Sequence, residues 1–352
     1  MVSVLVRAFL LLCCSTVLAV AEPSDPARKA REGLQAELED FSKAWDRRTP
    51  DWDQTTEHFV PLAGPAVSAY RDRLKAVGSW EGGPVWHQVG TLGLTRPGRA
   101  DERLGINVFF PAGPSRGTLL FVHGYLSHAA NFAYTYAWFT NHGWTVTTLD
   151  LPGHGLSTGP RGDVETFADY GDAVARWLDW QAAQGWPGPR LLAAHSLGSA
   201  AVLEALRRPG VRAPDQVVFC APLLRTRWYP FLPLAAAVSR PWMESFPQSF
   251  GWDHYLDGGT IPLHWYDALG RWLESLEDQK PMTWPLTVVY GSRDEVVDAD
   301  WNLAELRRLV PDLKEIRLEG KGHLFLSDDA DRKEFAETWS RWVLDLKRAG
   351  EP

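Results

Sequence analysis

The run Ala194-His195-Ser196-Leu197-Gly198 constrains this chain more than any other. It follows the apolar stretch 191–194 and leads directly into residues 199–206, which have helical composition. A serine on a strand-to-helix turn needs small neighbours, and the turn lifts its hydroxyl clear of the sheet. The free N–H groups and positive dipole end of the helix then lie behind it. Such donors stabilise the oxyanion that forms when a carbonyl is attacked. The pattern G-x-S-x-G is broken here, because Ala194 stands where the first glycine belongs. A perfect match occurs instead at Gly155-Leu156-Ser157-Thr158-Gly159. That run has no strand directly before it and a second glycine-rich loop, not a helix, after it. Ser196 is therefore read as the nucleophile and Ser157 as a loop hydroxyl.

A serine needs a base, and the base needs a carboxylate to orient it. On this kind of turn the chain order is serine, acid, histidine. His323, in Gly320-Lys321-Gly322-His323-Leu324, follows the last strand-like run and is the candidate base. His254 and His264 fall in an aromatic segment upstream. Asp294, in Tyr290-Gly291-Ser292-Arg293-Asp294, is the candidate acid. Its competitor Asp298 is read as the cap of the helix that follows, and Glu295 as solvated. The oxyanion donors are read as the backbone N–H groups of Leu197 and of Tyr125, in Phe121-Val122-His123-Gly124-Tyr125. Gly124 permits close approach of the backbone. His123 is read as a structural hydrogen bonder.

Strand-like runs lie at 86–92, 106–110, 119–123, 145–149, 191–194, 217–221, 286–290 and 315–318. Helical runs follow at about 130–141, 164–183, 197–207, 300–309 and 332–347. The alternation predicts a mostly parallel eight-stranded sheet with helices on both faces. The motifs all sit at strand ends, where such sheets bind ligands. Residues 223–284 break the alternation and are rich in aromatics, among them Trp228, Phe231, Trp242, Trp252, Trp265 and Trp272. They read as a cap inserted late in the sheet, its rings divided between burying the cap and lining an acyl groove. The core is thus expected over 85–222 and 285–352. Upstream, Leu34, Leu38, Phe41 and Trp45, then Val67, Tyr70, Leu74 and Val77, recur at helical spacing. Residues 22–84 are read as a helical extension packed on the core, its two helices joined by residues 50–65.

These motifs resemble the monoacylglycerol lipase and lysophospholipase branch of the α/β-hydrolases, also grouped with serine aminopeptidases. The resemblance rests on His123-Gly124, on the run Asp150 to Gly159, on Arg161-Gly162, on the turn at Ser196, and on Gly291 to Asp294 and Gly322-His323. It covers residue 85 onward and departs from the family at Ala194 and Ser199. It implies an α/β-hydrolase fold with a mobile apolar cap, and the triad Ser196, Asp294 and His323. The expected reaction is hydrolysis of an acyl-chain ester through an acyl-enzyme, with a small acyl ester or lipid as substrate. A secreted aminopeptidase or amidase is the alternative, with Glu244, Asp253, Asp257 and Glu274 available to hold an amine. A non-catalytic binding protein on the same scaffold is the other. Dehalogenase and epoxide hydrolase chemistry would need an aspartate in place of Ser196.

The net charge of -8 argues against nucleic acid as a partner. No histidine cluster has metal-ligand spacing, and no cofactor or metal is expected. The cap is a candidate for peripheral membrane contact. Arg7, the apolar residues 8–20 and Ala19-Val20-Ala21 read as a secretory signal covering 1–21, so a secreted or periplasmic protein is expected. The alternative is an uncleaved N-terminal anchor. Past that signal the lone cysteine is Cys220, in an apolar strand, and is read as a buried structural thiol.

Overall fold

The computed structural model describes residues 59–61, 68, 71, 74, 86–99, 101–231, 244–247, 260–326 and 339. Its strands are β1 (Val60–Pro61), β2 (Trp86–Leu94), β3 (Glu102–Phe110), β4 (Thr118–Val122), β5 (Thr145–Leu149) and β6 (Arg190–His195), then β7 (Gln216–Cys220), β8 (Ser245–Pro247), β9 (Thr260–Pro262), β10 (Leu286–Gly291) and β11 (Lys314–Leu318). The helices are α1 (Ala133–Asn141), α2 (Phe167–Ala183), α3 (Leu197–Leu206), α4 (Leu263–Glu277) and α5 (Ala299–Leu309).

One sheet carries the order β1-β2-β3-β5-β4-β6-β7-β10-β11. From β5 to β11 every pairing is parallel, and the β1–β2–β3–β5 edge is antiparallel. The eight expected strands are present. The sheet has nine rather than eight because β1 adds two residues to the edge, Val60 opposite Thr91. Two residues are too short to leave an alternation pattern, so this stretch reads as a link between helices.

Strands β4, β6 and β7 are mainly apolar because helices cover both sides of the sheet. β4 is buried at every residue. Its side chains alternate between two cores: Leu120 and Val122 pack with α2, α3 and α5, while Leu119 and Phe121 pack with α1. β6 divides in the same way, Leu192 and Ala194 against Leu191 and Ala193. The start of α2 is fixed by Asp169, whose carboxylate accepts the Thr166 N–H at 3.2 Å.

The order β5-β4-β6 decides where a site can form. The chain leaves β4 toward β5 on one side, and β6 returns on the other. The loops after β4 and β6 therefore diverge and leave a crevice beyond their carboxyl ends.

Between β7 and β10 lie the β8–β9 hairpin and α4. Helix α4 buries Trp265, Leu269, Trp272 and Leu276, three to four residues apart. It is tied to the core: Trp265 Nε1–H donates to Tyr170 Oη at 3.2 Å, and Trp272 Nε1–H to Glu204 Oε2 at 2.8 Å. Arg207 adds a hydrogen bond to the Ser275 carbonyl. Trp265 and Trp272 thus anchor this part of the cap, where the family resemblance implies mobility. Phe231 remains 51% exposed. Trp242 and Trp252 lie outside the described residues, as do His254, Asp253, Asp257, the expected signal and the helix expected at 332–347, save Trp339. Of the extension's second helix, Ser68, Arg71 and Leu74 are helical, and Leu74 is buried in the core that holds α1. Among the described residues no helix is long and apolar enough to cross a membrane.

Candidate active site

Strand β6 ends at His195, α3 begins at Leu197, and Ser196 forms the whole turn with φ 51° and ψ −117°. An L-residue is strained there and stays only if its surroundings hold it. Three backbone bonds do so. The Ser196 N–H donates to the Cys220 carbonyl at 2.9 Å, and its carbonyl accepts from Ser199 at 2.9 Å and Leu223 at 3.1 Å.

The requirement for a bare backbone falls on Gly198. A Cβ there would lie 2.6 Å from the His123 carbonyl oxygen and 2.7 Å from that of Val122. The first turn of α3 is thus pressed against the end of β4. Gly124 also lies close to Ser196. A Cβ at Gly124 would come within 3.1 Å of Ser196 Cβ. The next peptide N–H, that of Tyr125, has no acceptor among the described residues. As the first helical residue, Leu197 has an N–H that no helical carbonyl can take.

His323 Nε2 lies 3.0 Å from Ser196 Oγ, and its Nδ1 lies 2.8 Å from Asp294 Oδ2. A carboxylate can only accept, so Nδ1 carries the proton and Nε2 presents a lone pair to the serine. The other Asp294 oxygen accepts the N–H groups of Val296 at 2.9 Å and Val297 at 3.1 Å. Burial by itself would raise the Asp294 pKa. The electrostatic attraction and hydrogen bond of the His323 ring, with the Val297 and Val296 amides, outweigh it and hold this carboxyl below its ordinary value. The loops bearing Asp294 and His323 are joined to each other. Arg293 N–H donates to the Lys321 carbonyl at 2.9 Å, and a Cβ on Gly291 would strike that same oxygen.

Ser196, His323 and Asp294 therefore meet in one hydrogen-bonded line. Asp298 stands apart as the N-cap of α5, accepting from Trp301 N–H, and pairs with Arg225 at 2.6 Å. Glu295 is exposed. Ser157 is buried in the structure of its loop: its Oγ accepts the Gly105 N–H at 2.8 Å and donates to the Asp150 carbonyl. His123 links two loops, donating from Nδ1 to the Gly124 carbonyl and accepting the Leu151 N–H at Nε2. Burial holds its pKa well down. Burial pushes the Cys220 thiol well up, so it stays protonated in its strand. Of the cap carboxylates within the described residues, Glu244 and Glu274 are both exposed. Among the described residues no group of three or more His, Cys, Asp or Glu side chains is gathered for a metal.

Sequence reasoning gave His195 no role of its own. Its Nε2–H donates to the His323 carbonyl at 3.1 Å, so the residue before Ser196 fixes the backbone of His323. Burial and the neighbouring His323 lower its pKa to about 3, which keeps it neutral. No local signal announces a partner 128 residues away.

The family model described as serine aminopeptidase, S33, matches residues 113–330. A monoacylglycerol lipase of Mycolicibacterium smegmatis is 27% identical over an alignment of 220 positions that covers 55% of this chain and 76% of that protein. The phospholipase YtpA of Bacillus subtilis is 26% identical over 106 residues, 30% of this chain and 40% of that protein. Among solved structures, a soluble variant of the Saccharomyces cerevisiae monoglyceride lipase, in complex with a substrate analogue, superposes with a TM-score of 0.58. It is 16% identical, and the match covers 72% of this chain and 94% of that one.

Proposed function

The chain belongs to the serine aminopeptidase S33 family and is an ester hydrolase of the α/β-hydrolase fold, and from that premise we propose that it cleaves carboxylic esters of acyl chains, of the monoacylglycerol or lysophospholipid kind, through Ser196, His323 and Asp294. The observation that supports this reading best is the line from Ser196 Oγ to His323 at 3.0 Å and on to Asp294 at 2.8 Å. In it His323 takes the serine proton as Oγ attacks the acyl carbonyl. Asp294 keeps the imidazole in the required tautomer and stabilises its protonated form. The oxyanion rests on the N–H groups of Tyr125 and Leu197. His323 then protonates the departing alcohol and later draws a proton from water, which releases the acid from the acyl-enzyme. The names of the two curated relatives support a lipid ester as substrate. In the same reading, residues 1–21 direct the protein out of the cytoplasm.

The test is hydrolysis of p-nitrophenyl esters from acetyl to palmitoyl, beside an aminoacyl p-nitroanilide, with Ser196→Ala as control. The expected result is a maximum at medium or long chains and a loss of at least about 10⁴-fold in the variant. Cleavage of the anilide alone would move the protein to the aminopeptidase side. Full activity in Ser196→Ala would refute the mechanism.

A further inference from the structure

Among the described residues, Tyr125 joins the loop after β4 to the cap. Its side chain leaves the loop after β4 and stacks on Trp265 of α4, ring centroids 4.2 Å apart and planes 22° apart. Its hydroxyl donates to the Gly162 carbonyl at 2.6 Å. Burial pushes the pKa of that hydroxyl well up, so it remains a donor. Trp265 is itself fixed, 1% exposed, with its indole N–H on Tyr170 of α2 and Phe167 beside its ring at 5.6 Å. A series of contacts thus runs from α2 through Trp265 to the side chain of Tyr125, whose peptide N–H is the second donor in the proposed mechanism.

The loop has a reason to need such a hold. Leu126, directly after the donor, has φ 53°, a conformation that bulky side chains resist. Strain of that kind persists only where the surroundings over-determine it. A peptide N–H needs no aromatic side chain to serve as a donor. The ring of Tyr125 instead ties the strained loop to the cap helix.

We propose that Trp265 is a positioning residue for the oxyanion hole: through its stack on Tyr125, helix α4 sets the direction of the Tyr125 N–H and so couples the cap to the rate of acyl transfer. This rests on the ester-hydrolase reading with Ser196 as nucleophile. An interaction that strengthens only at the tetrahedral stage acts on kcat rather than on KM.

The test compares Trp265→Leu, Trp265→Phe, Tyr125→Leu and Trp272→Phe in the full chain, with p-nitrophenyl esters and an alkyl trifluoromethyl ketone, which forms a tetrahedral adduct with an active serine. Removing one oxyanion donor costs about 10²–10³ in kcat, so misdirecting it should cost about 10- to 100-fold. Trp265→Leu is expected to lose that factor in kcat, to keep KM within about threefold, and to bind the ketone weaker by the same factor as kcat falls. Trp265→Phe keeps a ring in the stack and should recover most of the rate. Trp272→Phe alters an equally buried tryptophan of the same helix that does not touch Tyr125, and should keep the wild-type kcat. If Trp265→Leu does not fold, Tyr125→Leu carries the test beside Tyr125→Phe: both keep the N–H and lose the hydroxyl's bond to Gly162, and only the leucine also loses the stack, so Tyr125→Phe should keep most of the rate. A kcat within twofold of wild type in folded Trp265→Leu or Tyr125→Leu overturns the proposal. So does a rise in KM alone, or an equal loss in Trp272→Phe. Failure of the underlying reading looks different: the wild type would neither react with the ketone nor lose activity on Ser196→Ala.

Discussion

Lowering the pH should unfold this protein through its buried histidines. His123, His128, His154 and His195 are all buried around the loops that carry the site. Desolvation lowers each pKa: to about 3 for His128 and His195, to about 4 for His154, and well below the ordinary value for His123. Each is neutral when folded and would become charged once exposed, below its unfolded value of about 6.5. Unfolding therefore takes up protons, and stability falls as pH drops below that value. Asp150 acts in the opposite sense, because burial raises its pKa to about 6. Near pH 5 it is mostly protonated in the fold and ionised in the open chain, so unfolding releases a proton there. Four histidines against one aspartate leave a net uptake of about three protons near pH 5, or about 4 kcal/mol of stability lost per pH unit. Domains of ordinary stability hold about 5–15 kcal/mol in all, so the fold should fail between about pH 4 and 5. Urea unfolding followed by tryptophan fluorescence at pH 7, 6, 5.5 and 5 measures the slope. A loss of no more than about 1.4 kcal/mol per pH unit between pH 5.5 and 5, the value for one proton, would refute the reasoning.

Ser157→Ala should leave ester turnover within about twofold while costing about 1–3 kcal/mol, since it orphans the buried Gly105 N–H. Turnover and a urea titration of the same preparation check both halves, and a dead but stable variant would contradict the assignment of Ser196. Asp294→Asn should lower kcat by about 10⁴-fold with little change in melting temperature, because the amide no longer demands the Nδ1–H tautomer of His323. A kcat within tenfold of wild type would show that another group orients the imidazole.

Much of this architecture was legible because it is written in local patterns. Continuous apolar runs such as Leu191 to Ala194 mark strands buried on both faces, and their alternation with amphipathic helices leaves few topologies. The meeting of Ser196, Asp294 and His323 was legible because each sits at a strand end in the order the family resemblance implies. What escaped depended on distance or brevity. Strand β1 is two residues long and exists only because Thr91 offers it an edge. The bond from His195 to the His323 carbonyl, and the stack of Tyr125 on Trp265, join segments more than a hundred residues apart with no pattern to pair them. The aromatic segment signalled burial without saying against what. Trp272 turned out to face Glu204, a buried carboxylate whose charge is met by Arg207 at 2.6 Å.

The two departures at the serine turn are where sequence pattern and packing disagree, and packing decides them. The missing glycine at Ala194 looks like a defect, yet Ala194 is buried in the core without conflict, and its carbonyl accepts the Ser199 hydroxyl at 3.1 Å. Ser199, the other departure, is thus the partner of the first. The position that tolerates no side chain is Gly198, where the atoms in the way are the backbone oxygens of His123 and Val122. Backbone at the end of a central strand cannot swing aside as a long side chain can. Gly198→Ala must push α3 away from β4, costing about 1–3 kcal/mol as overpacking does. Because α3 carries Leu197 and β4 leads to Gly124 and Tyr125, that shift also separates the two proposed oxyanion donors, so kcat should fall by about 10-fold or more. Ala194→Gly should cost about 0.5–1 kcal/mol from chain entropy and leave turnover unchanged. Melting temperature and ester turnover of both variants decide the matter. If Gly198→Ala matches the wild type in both while Ala194→Gly is inactive, the close approach that shapes this site lies at the strand end rather than at the helix.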